Sequence, residues 1–197
     1  MSLRAKERAM SYAGIFLAAV VMTGTALASV PAAPAVQLME RIAGVYKHRF
    51  MSAAVVPGEA DAPYQAEDIV EIVPYDREHL YLRVHLDFDN GHTCNIYGMA
   101  RFEQGAFVYR DPQPPLEGEP PCVLKVGVED GKLMLTDRPS ADAAGTCAYH
   151  CGARGSLDYE IGLDKRRTIR YLERLQQSRQ YQGAIDELRA RAGSAAS

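Results

Sequence analysis

Between Val45 and Asp137 apolar residues recur at every second position, the spacing of a strand with one buried face. The clearest stretch is 80–88. Leu80, Leu82, Val84, Leu86 and Phe88 share one side, while Tyr81, Arg83, His85 and Asp87 share the other. Successive strand side chains point to opposite faces, so the first set is expected on a core and the second in solvent. On a helix the same five apolar residues would scatter around the cylinder.

The pattern repeats along the chain. Residues 45–51 set Tyr46, His48 and Phe50 against Lys47 and Arg49, and 67–73 set Val70 and Ile72 against Glu71 before Pro74 stops the run. Further strands are expected at 92–102, 107–109, 122–129, 133–135 and 156–161. Asp89-Asn90-Gly91 and Glu129-Asp130-Gly131-Lys132 are turn signals, and the second suits a type I′ hairpin. Gly98 and Gly127 are expected as bends or points of close approach on curved strands. Eight short strands without βαβ alternation predict a mainly β fold: a small antiparallel up-and-down barrel of lipocalin-like form. The period then changes to that of a helix. Ile169, Leu172, Leu175, Ile185 and Leu188 predict one amphipathic α-helix over 166–192, packed outside the barrel, with Asp164 or Thr168 as its cap.

The two ends read differently. Residues 1–28 carry Arg4, Lys6 and Arg8, an apolar run from Ala13 to Met22, and the small pair Ala26-x-Ala28, which together predict a secretory signal peptide. That run is too short to span a bilayer core, which takes about 20 residues. No membrane span is expected after cleavage, and the location is expected to be periplasmic or secreted. Residues 29–43 read as a linker and a short helical turn with Leu38 and Ile42 on one side, ended by Gly44, and 193–197 as a disordered tail. The domain proper is thus expected over 44–165. Removing three basic residues and one acidic residue from 22 Lys+Arg and 25 Asp+Glu leaves 19 and 24, a balance of −5. That balance offers no basic patch for nucleic acid.

Four cysteines in an exported chain predict two disulfides among Cys94, Cys122, Cys147 and Cys151, with three pairings open. If the strands alternate in direction, all four sit at one end of the barrel. A competing reading is a tetrahedral zinc held by these thiols with His92 and His150, but no CxxC pair is present. No cofactor is expected, and no Ser-nucleophile, Walker, HExxH or dinucleotide motif marks an enzyme.

The stretch 147–156, CAYHCGARGS, supplies the candidate binding residues Tyr149, His150 and Arg154, with His92 expected at the same barrel end. A glycine-bearing loop presenting Arg and His suits a carboxylate or a polar groove, since a guanidinium bonds carboxylates bidentately. The alternative role for Arg154 is bonding loop carbonyls. His48 and His85 are expected at the polar rim, and Asp87 and Asp89 in service of a turn.

The segments GHTCNIYGMARF, CVLKV and CAYHCGARGSL resemble a group of small exported bacterial proteins of unassigned role, over about residues 44–172. In architecture the chain is similar to periplasmic inhibitors of c-type lysozyme. Those use a Ser- and Gly-rich loop in the lysozyme cleft, and the nearest stretch here is Gly152-Ala-Arg-Gly-Ser156. The resemblance implies an exported binding module, an inhibitor of a cell-wall hydrolase acting through the 147–156 loop. The alternative is a carrier of a small apolar ligand inside the barrel, lined by Leu82, Val84, Leu86, Ile96, Val126 and Leu135, which serve equally as plain core. A metal-dependent enzyme using His92, His150 and the thiols ranks last.

Overall fold

The computed structural model describes residues 33–54, 58, 62–88, 91–115, 117–151 and 155–194. The expected signal peptide, most of the linker, Asp89 and Arg154 lie outside them.

Strands β1 (Gly44–Ala54), β2 (Ala62–Pro74), β3 (His79–Asp87), β4 (Thr93–Glu103), β5 (Ala106–Arg110), β6 (Val123–Glu129), β7 (Lys132–Thr136) and β8 (Tyr159–Gly162) form one antiparallel sheet in sequence order. The sheet curls into a nearly closed barrel. No ladder joins β8 to β1. Instead Arg167, just past β8, exchanges two backbone hydrogen bonds with Val45, at 2.8 and 2.9 Å. The β6–β7 turn has positive φ at both Asp130 (46°) and Gly131 (75°), as a type I′ hairpin requires.

One face of every strand fills the interior. Tyr46, Leu82, Leu86, Phe107, Leu124 and Leu135 are at most 1% exposed and belong to one continuous cluster. The six residues expected to line a ligand cavity are all members of that packed cluster, so they act as core. Gly98 is a point of close approach: a Cβ there would lie 2.3 Å from Cε2 of Tyr109, whose ring covers the glycine. Gly127 is not, since its Cβ would meet only Ala106 at 3.9 Å.

The expected short turn before β1 is helix α1 (Pro34–Ile42), with proline in its first turn, where a missing N–H costs nothing. Ala35, Met39 and Ile42 fall on one face and join the barrel core, closing the end at which β1 starts. Gly44 does not end this helix; Ala43 does, and Gly44 begins β1. The last-turn carbonyls of Glu40 and Arg41 accept from Arg166 Nη1 at 2.6 and 2.7 Å, which satisfies groups that a helix end leaves open.

The C-terminal region departs from the single helix expected over 166–192. Helices form at Leu172–Gln176 (α2) and Arg179–Ser194 (α3), and the interruption falls before Gly183. Residues 166–170 are non-helical because the Arg167 backbone is committed to Val45 and the Arg166 side chain to α1. Neither Asp164 nor Thr168 caps a helix. On α3, Tyr181, Ala184 and Ile185 recur at helical spacing and pack with Val45, Val73 and Tyr81 on the outer wall. Tyr81, expected in solvent, is fully buried, its ring 4.8 Å from that of Tyr181. Beside it the Glu71 carboxylate, with no exposed side-chain surface, is bonded by Arg83 and by the Tyr171 hydroxyl. Among the described residues no helix is long and apolar enough to cross a membrane.

Candidate functional site

Antiparallel order places the starts of β4 and β6 and the β7–β8 connection at one barrel end. There the four cysteines pair as Cys94–Cys151 and Cys122–Cys147, and none is free. One bridge ties the connection to β4 and the other ties it to the strand entering β6. Backbone bonds tighten it further: Cys147 N–H donates to Asp137 Oδ2 at 2.8 Å, and Thr146 N–H donates to the Asp137 carbonyl at 3.0 Å. Gly155 packs against the first bridge, where a Cβ would fall 2.8 Å from Cys94 Sγ. Any larger residue would push the loop off the disulfide.

Between Cys147 and Cys151, which belong to different bridges, Ala148–His150 forms a 3-10 turn that carries Tyr149 and His150 side by side, ring centroids 4.2 Å apart. Both reach Oδ2 of Asp111: the Tyr149 hydroxyl donates to it, and His150 Nε2 bonds it. Its other oxygen accepts the Gln113 N–H at 2.8 Å. The carboxylate side chain is only 2% exposed. Burial pushes Asp111 up, but the bonds from Tyr149, the Gln113 N–H and His150 outweigh it and hold the acid below its ordinary range. Burial, then the bond to Asp111, pushes the Tyr149 hydroxyl up. The phenol therefore stays a donor.

The cluster sits at the mouth of a cleft of about 440 Å³. Its origin is a mismatch of strand length. β4 pairs with β5 only over 100–103, so its first half runs on without that neighbour, and α3 passes outside the opening. Tyr97, Tyr109, Asp111 and His150 line one side; Arg179 and Glu187 of α3 line the other. Burial, with the nearby Asp111 charge, raises Glu187 against the lowering effect of Arg191. Arg179 is exposed and forms no ion pair among the described residues.

Of the residues expected at the site, Tyr149 and His150 come together. His92 does not join them: it lies in the β3–β4 turn, where its carbonyl accepts the Phe88 N–H at 2.8 Å. His85 and His48 stay at the rim, on Asn95 and Asp68. The Asp87 carboxylate, expected to serve the turn, instead accepts the Glu67 N–H at 2.9 Å where β2 and β3 have splayed apart. Asp111, Cys122 and His150 offer ligand atoms within 4.8 Å of one another. The sulfur, however, is committed to Cys147. A disulfide sulfur does not replace the thiolate as a zinc ligand, so with the bridge intact this set offers Asp111 and His150 alone, too few for a tetrahedral zinc. Sequence reading missed Asp111, Arg179 and Glu187. Asp111-Pro112 reads as a turn former, and its bond to Gln113 N–H is that turn.

No known protein family, curated protein or solved structure matches the chain.

Proposed function

We propose that this is an exported binding module that engages a protein partner through the disulfide-clamped 147–156 loop and the adjoining cleft. The observation that carries the reading is Tyr149, 41% exposed yet pinned with His150 onto a buried carboxylate between two disulfides. A half-exposed aromatic that is already immobilised loses little freedom on binding, and such anchors dominate interface energies. Arg179, which pairs with no carboxylate among the described residues, adds a guanidinium across the cleft, in the role expected of Arg154. Two disulfides fit an oxidising compartment, in keeping with the leader pattern at the N-terminus. The interior is packed with side chains, which favours a surface site over an internal carrier site.

A cell-wall hydrolase of the c-type lysozyme kind is the proposed partner. Purified protein titrated into such a lysozyme should slow cell-wall lysis at near-stoichiometric ratio, and Tyr149→Ala should weaken inhibition at least tenfold. Lysis unaffected at micromolar protein overturns the hydrolase reading. Undiminished inhibition by both Tyr149→Ala and Arg179→Ala overturns the surface. Export requires a denatured mass matching Ser29–Ser197 less four hydrogens.

A further inference from the structure

A second space lies on the outer wall, away from the disulfide end. The last two turns of α3 stand off β4 and β5, leaving a groove of about 530 Å³. Its floor is apolar, formed by Met99, Val108 and Leu188. Four arginines, Arg101, Arg110, Arg189 and Arg191, line it against two carboxylates, Asp76 and Glu103. Within the lining the arginines outnumber the carboxylates by two, although the chain as a whole is acidic, at −3; Glu78, Asp186 and Glu187 stand just outside it.

The four guanidinia are not equally committed. Arg110 grips Glu103 with both nitrogens, at 2.7 and 2.8 Å. Arg191 bonds Glu187 at 2.6 Å and the Arg110 carbonyl at 3.2 Å. By contrast Arg101 meets Glu78 only at 3.4 Å and Arg189 meets Asp186 only at 3.6 Å, with every one of those side chains at least 60% exposed. Such long, solvated pairs hold almost nothing, so Arg101 and Arg189 are free to turn toward an anion at the rim. Pockets of several hundred Å³ that pair an apolar floor with a few placed polar groups are the usual form of small-molecule sites.

We infer that this groove binds a single-chain amphiphile with an anionic head, a fatty-acid carboxylate, its tail on Met99, Val108 and Leu188 and its head between Arg101 and Arg189. The apolar ligand that strand alternation placed inside the barrel is thereby moved outside it. The groove shares α3 and the Arg191–Glu187 pair with the cleft, but Met99, Val108, Leu188, Arg101 and Arg189 do not line the cleft, so either assignment stands without the other.

The test is calorimetric titration with octanoate, decanoate and dodecanoate below their micelle concentrations, beside dodecyltrimethylammonium as a cationic control. Affinity should tighten about fourfold per added methylene, weaken at high salt, and be absent for the cation. Arg101→Ala/Arg189→Ala, which removes two exposed side chains and should leave the fold intact by circular dichroism, should bind dodecanoate about tenfold more weakly; Leu188→Gln should flatten the chain-length dependence. Equal binding of the cation, or wild-type affinity in the double variant, overturns the proposal.

Discussion

Asp111 shows how one side chain can organise a loop it is remote from in sequence. It collects Tyr149 and His150, 38 and 39 positions away, along with its own Gln113 N–H. Because the folded acid is held below its ordinary value, its stabilisation is complete above the unfolded-state pKa, about 3.9, and is lost as pH falls through the lower folded value. Asp111→Asn should therefore cost about 2 kcal/mol at pH 7, roughly 5 °C in Tm for a domain of this size. The gap between variant and wild type should close as thermal melts are repeated toward pH 3. A gap that stayed constant with pH would remove the charge from the account. None of this was legible in the sequence, where Asp111 is a turn residue before proline. Gly98 was legible as a glycine in a demanding place, but the Tyr109 ring that makes the demand was not, and neither was the Cys94 sulfur on which Gly155 packs.

At the level of elements, all eight strands could be read from alternation, since each needs only its own residues and a neighbour. What failed was the fate of the outer faces. Residues Val70–Val73 of β2 are buried on both sides because Tyr171 and α3 arrive from about a hundred positions downstream. Local periodicity cannot report a cover that distant. It misjudged 166–170 for the same reason, since those residues are helix-compatible yet are claimed by the barrel seam. The disulfide end, by contrast, was foreseeable from strand direction, although the pairing was not. Cys122–Cys147 closes 25 residues and Cys94–Cys151 closes 57. In the chain-entropy picture, removing them should cost about 3.5 and about 4 kcal/mol respectively. Guanidinium unfolding of Cys122→Ala/Cys147→Ala and of Cys94→Ala/Cys151→Ala checks both magnitudes. Both variants should loosen the 147–156 loop in hydrogen exchange, and the second, which also removes the sulfur that Gly155 packs on, should loosen it more.

Across the whole molecule, the barrel and its C-terminal cover are joined through a buried charge. Glu71 has no solvent to fall back on and relies on Arg83 and Tyr171. Burial first, then the bond to Glu71, pushes the Tyr171 hydroxyl up to about 12, so it donates throughout the physiological range. Tyr171→Phe leaves the carboxylate one partner short and should destabilise by about 2 kcal/mol. Limited proteolysis should then cut between the barrel and α3 while the eight strands stay protected. Resistance equal to wild type would show that the apolar contacts of Leu175, Tyr181 and Ile185 suffice to dock the cover.

The seam at Val45 and Arg167 bears on how the chain is made. Every ladder in the sheet links strands adjacent in sequence, so pairing can proceed hairpin by hairpin as the chain emerges. The join between first and last strands alone must wait, and it rests on two consecutive arginines: Arg167 shuts the ring and Arg166 finishes α1. A nascent polypeptide halted short of them would hold eight strands in order but present two bare flanks, β1 and β8, to its neighbours. Unpaired strand edges recruit one another. The segment from Arg166 onward therefore does more than cover the wall, because until it arrives not even the Val45–Arg167 bridge spans the seam between β1 and β8.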